Sequence, residues 1–148
     1  MRESGVAFFG TLTLHSLAMA LVIGINIALN LRLLGFAPRI ALPPFRSFFP
    51  LHWYGVVAIS ISGALLLCAY PAKALTNPVF YLKLVSLLSA LAIARHFQTS
   101  VLQHEVAGDG SARIKMTASL SLILWAITIT AGRFLAYTHS VLLASRFY

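Results

Sequence analysis

Acidic residues are nearly missing from this chain: its 148 residues include three Asp and Glu against eleven Lys and Arg. Charged residues make up 9% of the sequence, whereas an average soluble domain carries about 25%. Hydrophobic residues reach 59%, and a soluble domain of this size leaves too much surface exposed to tolerate that composition. The composition therefore argues against a soluble domain, a disordered segment and a nucleic-acid-binding module.

The chain also has few of the residues that build common reactive sites. Its one cysteine, Cys68, allows neither an intrachain disulfide nor a Cys-x-x-Cys metal site. No Asp or Glu lies within a long apolar stretch, which argues against a proton or cation pump built on intramembrane carboxylates. The net charge of +8 points to the anionic cytoplasmic face of a membrane as the partner of the basic residues.

Long apolar stretches are what the sequence does contain. A helix needs about 20 mostly apolar residues to cross the hydrocarbon core of a bilayer, and continuous runs differ from the alternating pattern of a membrane β-strand. We predict an all-α integral membrane protein with one domain, residues 1–148, folded as an antiparallel four-helix bundle. The predicted spans cover about 6–29, 52–70, 78–97 and 116–138.

The segments between the spans predict the orientation of the chain. Residues 36–50 are rich in Pro and Phe and suit a segment at the lipid–water interface. Residues 71–78 predict a tight turn, and residues 105–114 predict a loop around Gly-Asp-Gly. Lys and Arg concentrate on the cytoplasmic side of membrane proteins, and the first and third loops hold six of them against three on the other side. Both termini are therefore predicted to be periplasmic.

Three of the five histidines fall within predicted spans and His139 lies one residue beyond the fourth. An ionisable residue is costly in a membrane span and marks a candidate functional site. At 100° per residue, the face of His15 carries the polar residues Asn26 and Asn30 and is expected to point into the bundle. The faces of the other three carry Gly, Ala or Ser; these histidines are His52, His96 and His139. Small residues serve close helix packing or leave room for a flat macrocycle, and both interpretations stay open.

Histidines and small residues on facing helices are what a bis-histidine haem site requires. His52 and His96 are equally far from position 74 in the second turn, so an antiparallel hairpin places them at one depth. We expect this pair to be the axial ligands of a haem b. Arg46 and Arg95 are expected on the same side, to pair with its propionates or with a lipid phosphate.

The remaining histidines form a looser pair. His15 and His139 are expected to hold a second haem in the outer half of the membrane if two are bound. A plain hydrogen bond to a neighbouring helix is the alternative for His15. This histidine also lies one turn from Met19, and the two donors suit copper(I). Lys83 and Arg133 lie about 120–140° from the histidine faces, and we expect them to snorkel outward.

Several sequence stretches resemble a largely uncharacterised family of small four-span bacterial inner-membrane proteins. The stretches are LHSLAMALVIG followed by NLRLLG in the first span, NPVFYLKLVSLL at the start of the third, and ARHF at its end. In outline they are also similar to the membrane domain of copper-resistance D proteins. The resemblance implies a bacterial inner membrane and a histidine-bearing bundle, with matching positions at His15, Arg32, Lys83 and His96. An acidic residue often stands in the family where this chain has Asn30.

Two classes of function follow. The first is a b-type cytochrome, either a membrane electron carrier or the haem-bearing anchor of an oxidoreductase, with a quinone or a cytochrome as its redox partner. The second is an accessory structural subunit of a respiratory or photosynthetic complex, without a redox centre, packed against other membrane subunits or against copies of itself. Copper handling is a weaker third hypothesis. In each, the lipid bilayer is the immediate partner and no nucleic acid is involved.

Overall fold

The part of the chain that the structure describes forms four long helices, one short helix and a 3₁₀ turn. The computed structural model describes residues 5–36, 38–69, 71–102 and 112–144, and for residues 72–73, 102 and 136–144 it describes the backbone alone. The helices are α1 (Gly5–Leu34), α2 (Phe49–Ala69), α3 (Pro71–Leu75), α4 (Pro78–Leu102) and α5 (Ala112–Ala144), and the 3₁₀ turn is Pro43–Phe48. The described residues contain no strand, so the all-α prediction is confirmed.

The four long helices match the four predicted spans. Each is long and apolar enough to cross a membrane, over Gly5–Leu34, Pro43–Ala69, Pro78–Val101 and Ala112–Leu135. The helices extend beyond the predicted ranges: 30 residues of α1 correspond to about 45 Å, against a hydrocarbon core of about 30 Å. The predicted turn at 71–78 contains α3, whereas most of the predicted loop at 105–114 lies outside the described residues.

Local sequence signals set the helix ends. Gly35 has a φ of +93°, and the amides of Gly35 and Phe36 donate to the carbonyls of Arg32 and Leu31, both at 3.1 Å. This is a Schellman motif, which needs a residue that adopts positive φ without strain. Asn77 caps the N-terminus of α4. Its side-chain oxygen accepts the backbone N–H of Val79 at 3.0 Å, and Pro78 occupies the first helical position.

The helices pack in the order α2–α1–α5–α4 around the bundle, since α1 contacts α2 and α5, and α5 contacts α4. The helices α2 and α4 meet mainly at one end, where the 3₁₀ turn contacts both. There Trp53 Nε1 donates to Gln98 Oε1 at 2.8 Å. We call this the 3₁₀ end, and the opposite one the α3 end. The side between α2 and α4 is the least closely packed of the four, and we call it the α2/α4 side.

Two apolar clusters hold the bundle together. One joins all four long helices through Ala18, Val22, Ile23, Ile59, Ala90 and Trp125. The other lies towards the 3₁₀ end and consists of Leu29, Leu33, Phe49, Phe97, Val101 and Ala118. Large apolar side chains also cover the outside, with Val6, Phe9, Tyr54 and Met116 more than two-thirds exposed. A surface of this kind faces lipid, so the chain is a multi-pass membrane protein.

Candidate functional site

The polar face of α1 points into the bundle, as the sequence predicts. His15, Asn26 and Asn30 are exposed by only 9%, 2% and 2%. Asn30 Nδ2 donates to Ser121 Oγ of α5 at 3.0 Å, and Asn26 Nδ2 donates to the carbonyl of Val22 at 2.7 Å. The polar residues of α1 therefore use much of their hydrogen-bonding capacity within the bundle.

His15 is held by a serine on the neighbouring helix. Its Nδ1 lies 2.8 Å from Ser62 Oγ, and the Ser62 hydroxyl donates to the carbonyl of Ala58 at 2.5 Å. Because a hydroxyl has one proton, Ser62 accepts from His15, and Nδ1 carries the hydrogen. In the neutral imidazole Nε2 then holds the free lone pair. A Cβ on Gly63 would lie 3.4 Å from His15 Cε1, so this small residue serves close packing.

Lys83 lies between α4 and α5 instead of on an outward face. It is half-buried, and a Cβ on Gly132 would lie 3.7 Å from its Cε and Nζ. The expectation that Lys83 snorkels outward is therefore not met, because its side chain packs against α5 at Gly132. Arg133 is exposed, in agreement with its prediction.

His52 lies on the inner face of α2 near the 3₁₀ end. Its side chain has 0% exposure, and neither Nδ1 nor Nε2 has a hydrogen-bond partner. The ring meets that of Trp53 edge-on, with 5.3 Å between centroids. An unpaired buried polar group costs about 1–3 kcal/mol, and natural proteins keep such groups mainly where a ligand, an ion or a catalytic role accounts for them. His52 is therefore the strongest candidate ligand in the described residues.

His96 occupies a different environment from His52. It is exposed on α4, as are two residues of the same helix face, Val85 and Ala92. The buried residues of α4 form another face and include Ser86, Ala90, Ala94 and Phe97. Ser86, Ala90 and Ala94 bring α4 close to α5. Phe97 belongs to the second apolar cluster. The face of His96 therefore points away from the packed interior of the bundle.

The same two histidines nevertheless share one end of the bundle. Trp53, next to His52, is hydrogen-bonded to Gln98, two residues after His96. Both histidines belong to the helices that border the α2/α4 side. A haem b needs an imidazole nitrogen without another partner, and His52 supplies it. The described residues thus meet one requirement of a haem ligand, the unpartnered nitrogens of His52, whereas the side chain of His96 is exposed.

The other predicted ligands are less fully described. The backbone of His139 belongs to α5, but its side chain lies outside the described part of the chain. In the described residues, no three His, Cys, Asp or Glu side chains gather around a common point. The copper hypothesis, based on His15 and Met19, remains a prediction.

A pocket of about 380 Å³ opens at the 3₁₀ end. Its lining consists of Arg46, Phe49, Pro50, Trp53, Arg95, Gln98 and Thr99. The guanidinium of Arg95 lies 5.6 Å from the centroid of Trp53. Arg46 Nη2 donates at 2.7 Å to the carbonyl of Val101, which lies in the last turn of α4 and has no partner within the helix. The two arginines that were predicted to pair with an anion therefore share one pocket.

Some polar residues of the interior carry no signal in the sequence. Ser62 meets His15, Ser121 meets Asn30, and the hydroxyl oxygens of Thr128 and Ser86 lie 3.0 Å apart. These contacts join positions 47, 91 and 42 residues apart. Helical periodicity shows which residues share a face, but not which face of another helix they meet.

Comparisons with known proteins add no relative: no protein-family model, curated protein or solved structure matches this chain. Its function is therefore inferred from its own residues.

Proposed function

We propose that this chain is a b-type cytochrome of a bacterial inner membrane, an electron carrier or the haem-bearing anchor of an oxidoreductase. The observation that carries the proposal is the wholly buried imidazole of His52, whose two ring nitrogens have no partner. When bound, haem b supplies one-electron transfer, with a quinone or a cytochrome as the partner class.

The haem position that we propose lies between α2 and α4. His52 would hold the haem from the bundle interior and His96 from α4 at the same end, which would require the side chain of His96 to turn from the exposed face towards the α2/α4 side. Arg46 and Arg95 lie at that end and suit carboxylate groups. A haem held by two histidines would supply one-electron transfer.

The predicted second haem rests on a different histidine. The hydrogen bond from His15 Nδ1 to Ser62 leaves Nε2 with the lone pair, the same arrangement that orients metal-bound histidines through a second partner. His139 is the second ligand in this prediction. Binding of a haem at His15 and His139 does not depend on binding of a haem at His52.

The visible absorption spectrum of the purified protein tests the proposal. The chain, produced with an adequate haem supply and purified in mild detergent, is expected to show a Soret band and, after reduction, the α-band of b-type haem. The variant His52→Ala is expected to lose these bands or acquire a five-coordinate spectrum. His104→Ala, in the third loop, is the matched control and should leave them unchanged. A colourless wild-type preparation contradicts the proposal.

A second candidate function, an accessory subunit without a redox centre, is favoured by the outer face of α1. Four small residues recur there at every fourth position and all are exposed: Ser16, Ala20, Gly24 and Ala28. A Cβ on Gly24 would meet nothing within 4 Å. Small residues at this spacing let the backbone of another membrane helix approach closely. Under this hypothesis, a partner helix or a second copy of the chain packs on this face.

Native electrophoresis of detergent extracts separates the two candidates. If the chain is an accessory subunit, it runs as part of a larger complex, is colourless, and the variant Gly24→Leu shifts to the mass of the free chain. Ala126→Leu, an equally exposed small-to-large change on α5, is the control and should not shift. A coloured chain whose mass is the same in both variants rules out the accessory role.

A further inference from the structure

We infer that the pocket at the 3₁₀ end binds the phosphate group of an anionic phospholipid. This inference rests on the residues that line the pocket, and it assigns to a lipid phosphate the two arginines that the haem proposal assigns to carboxylate groups.

A buried amide in the pocket has hydrogen-bond donors without an acceptor. Gln98 is exposed by only 3%, and its Oε1 accepts from Trp53 Nε1 at 2.8 Å. The indole nitrogen only donates, so this bond fixes which end of the amide is the oxygen. Gln98 Nε2 has no partner, and both of its hydrogens remain for a ligand. The unpaired Nε2 of Gln98 therefore favours a hydrogen-bond acceptor in the pocket.

The charges around this amide select an anion as the acceptor. Arg46 and Arg95 contribute two positive charges, and none of the seven lining residues is acidic. Trp53 organises the pocket, because its indole N–H holds Gln98 while its ring lies under the guanidinium of Arg95. A site with positive charge and N–H donors but no acidic group is complementary to a phosphate or a carboxylate.

The position of the pocket identifies the anion as a lipid headgroup. The pocket lies near the start of the span Pro43–Ala69 and the end of the span Pro78–Val101, and the ends of membrane-spanning helices lie at the lipid–water interface. Phe49 and the Trp53 ring form an apolar wall, which suits a glycerol backbone. Next to it, Leu51 and Tyr54 are 43% and 74% exposed, and large exposed apolar side chains of this kind suit contact with acyl chains. The volume of about 380 Å³ falls in the usual range of ligand pockets.

Trp53 provides the readout for a binding experiment. The full-length protein, washed free of lipid in detergent, is titrated with phosphatidylglycerol, phosphatidylcholine or inorganic phosphate while tryptophan fluorescence is recorded. The variant Trp53→Phe removes the signal and identifies its source, because the other indole, of Trp125, is buried in the bundle core. The test variant is Arg95→Gln, and Arg39→Gln, an exposed arginine of the first loop, is its control.

We expect a saturable change with phosphatidylglycerol, weakened about tenfold in Arg95→Gln, the effect of losing one charge-assisted hydrogen bond. Binding of phosphatidylglycerol should be unchanged in Arg39→Gln. Phosphatidylcholine carries a cationic choline that the arginines repel, so it should bind more weakly. Equal binding of both lipids, or equal weakening in both variants, overturns the inference.

Two further outcomes also overturn it. If inorganic phosphate saturates the pocket and phosphatidylglycerol does not, the ligand is a soluble anion. If Arg95→Gln changes the haem spectrum and leaves lipid binding unchanged, the arginine serves a haem propionate instead. A colourless protein that binds phosphatidylglycerol in the expected way refutes the cytochrome proposal and leaves the lipid site intact.

Discussion

Buried polar side chains in this bundle fall into two groups. Most are paired: His15 with Ser62, and Asn30 Nδ2 with Ser121. His52 differs, because neither of its ring nitrogens is paired within the protein. Paired residues contribute to the stability of the bundle, whereas an unpaired imidazole reduces it unless a ligand binds there. We therefore expect replacement of His15 to lower the stability of the bundle and replacement of His52 by an apolar residue to raise it.

For the paired group, we expect His15→Ala and Ser62→Ala to lower the free energy of unfolding non-additively. Hydrogen bonds between membrane helices show coupling energies of about 0.6 kcal/mol on average and about 1.7 kcal/mol at most. A double-mutant cycle, measured by unfolding in mixed micelles of detergent and SDS, should give a coupling in this range. If the losses in unfolding free energy of the two single variants simply add in the double variant, the hydrogen bond between His15 and Ser62 contributes nothing to stability.

For the unpaired group, we expect His52→Leu to stabilise the haem-free protein by about 1–3 kcal/mol, because it removes an unsatisfied buried polar group of similar size. The same change should abolish haem binding. Unfolding of the haem-free forms of wild type and variant measures the first effect, and absorbance measures the second. A destabilised variant would indicate that His52 has a structural partner.

At the level of helices, small residues bring α1 and α2 together. A Cβ on Gly55 would lie only 2.7 Å from Val22 Cγ2, and Val22 is itself completely buried, with a β-branched side chain that turns little. Helical periodicity predicted correctly that the face of α1 with His15, Asn26 and Asn30 points inward, because polar residues mark it. It did not identify the packed face of α4, which consists largely of Ala and Ser, while the more noticeable His96 points outward. Which small residues pack against a neighbour is decided by the partner helix.

We expect Gly55→Ala to destabilise the bundle by about 1–3 kcal/mol through overpacking against Val22. Gly24→Ala is the matched control, because the same methyl group there meets open space. Both changes favour the helix backbone equally, so the difference between their unfolding free energies reports the contact. If the two variants unfold alike, α1 and α2 do not approach as closely as we describe.

At the level of the whole molecule, the number of spans followed from hydropathy alone, because each helix is continuous and apolar. The order of the helices around the bundle could not be predicted from hydropathy, since apolar faces of similar composition are interchangeable in lipid. The pocket at the 3₁₀ end also required the fold, because Arg46 and Trp53 come from the first loop and α2, while Arg95 and Gln98 come from α4.

The distribution of Lys and Arg makes a prediction about orientation. Because the first and third loops hold more basic residues, we expect both of them on the cytoplasmic side. A reporter that is active only in the cytoplasm should be active when fused after Ala107 and inactive when fused after Tyr148. The reverse pattern would place the pocket at the 3₁₀ end on the periplasmic side.

Electron paramagnetic resonance of the oxidised, purified protein tests the proposed role of His52 and His96, because it reports the ligands of a ferric haem. We expect a low-spin signal, typical of two histidine ligands, in the wild type. We also expect His52→Ala and His96→Ala each to replace this signal with a high-spin one or to abolish it. The absence of a ferric haem signal from the wild type, or a low-spin signal that persists in both variants, would contradict a haem held by these two histidines.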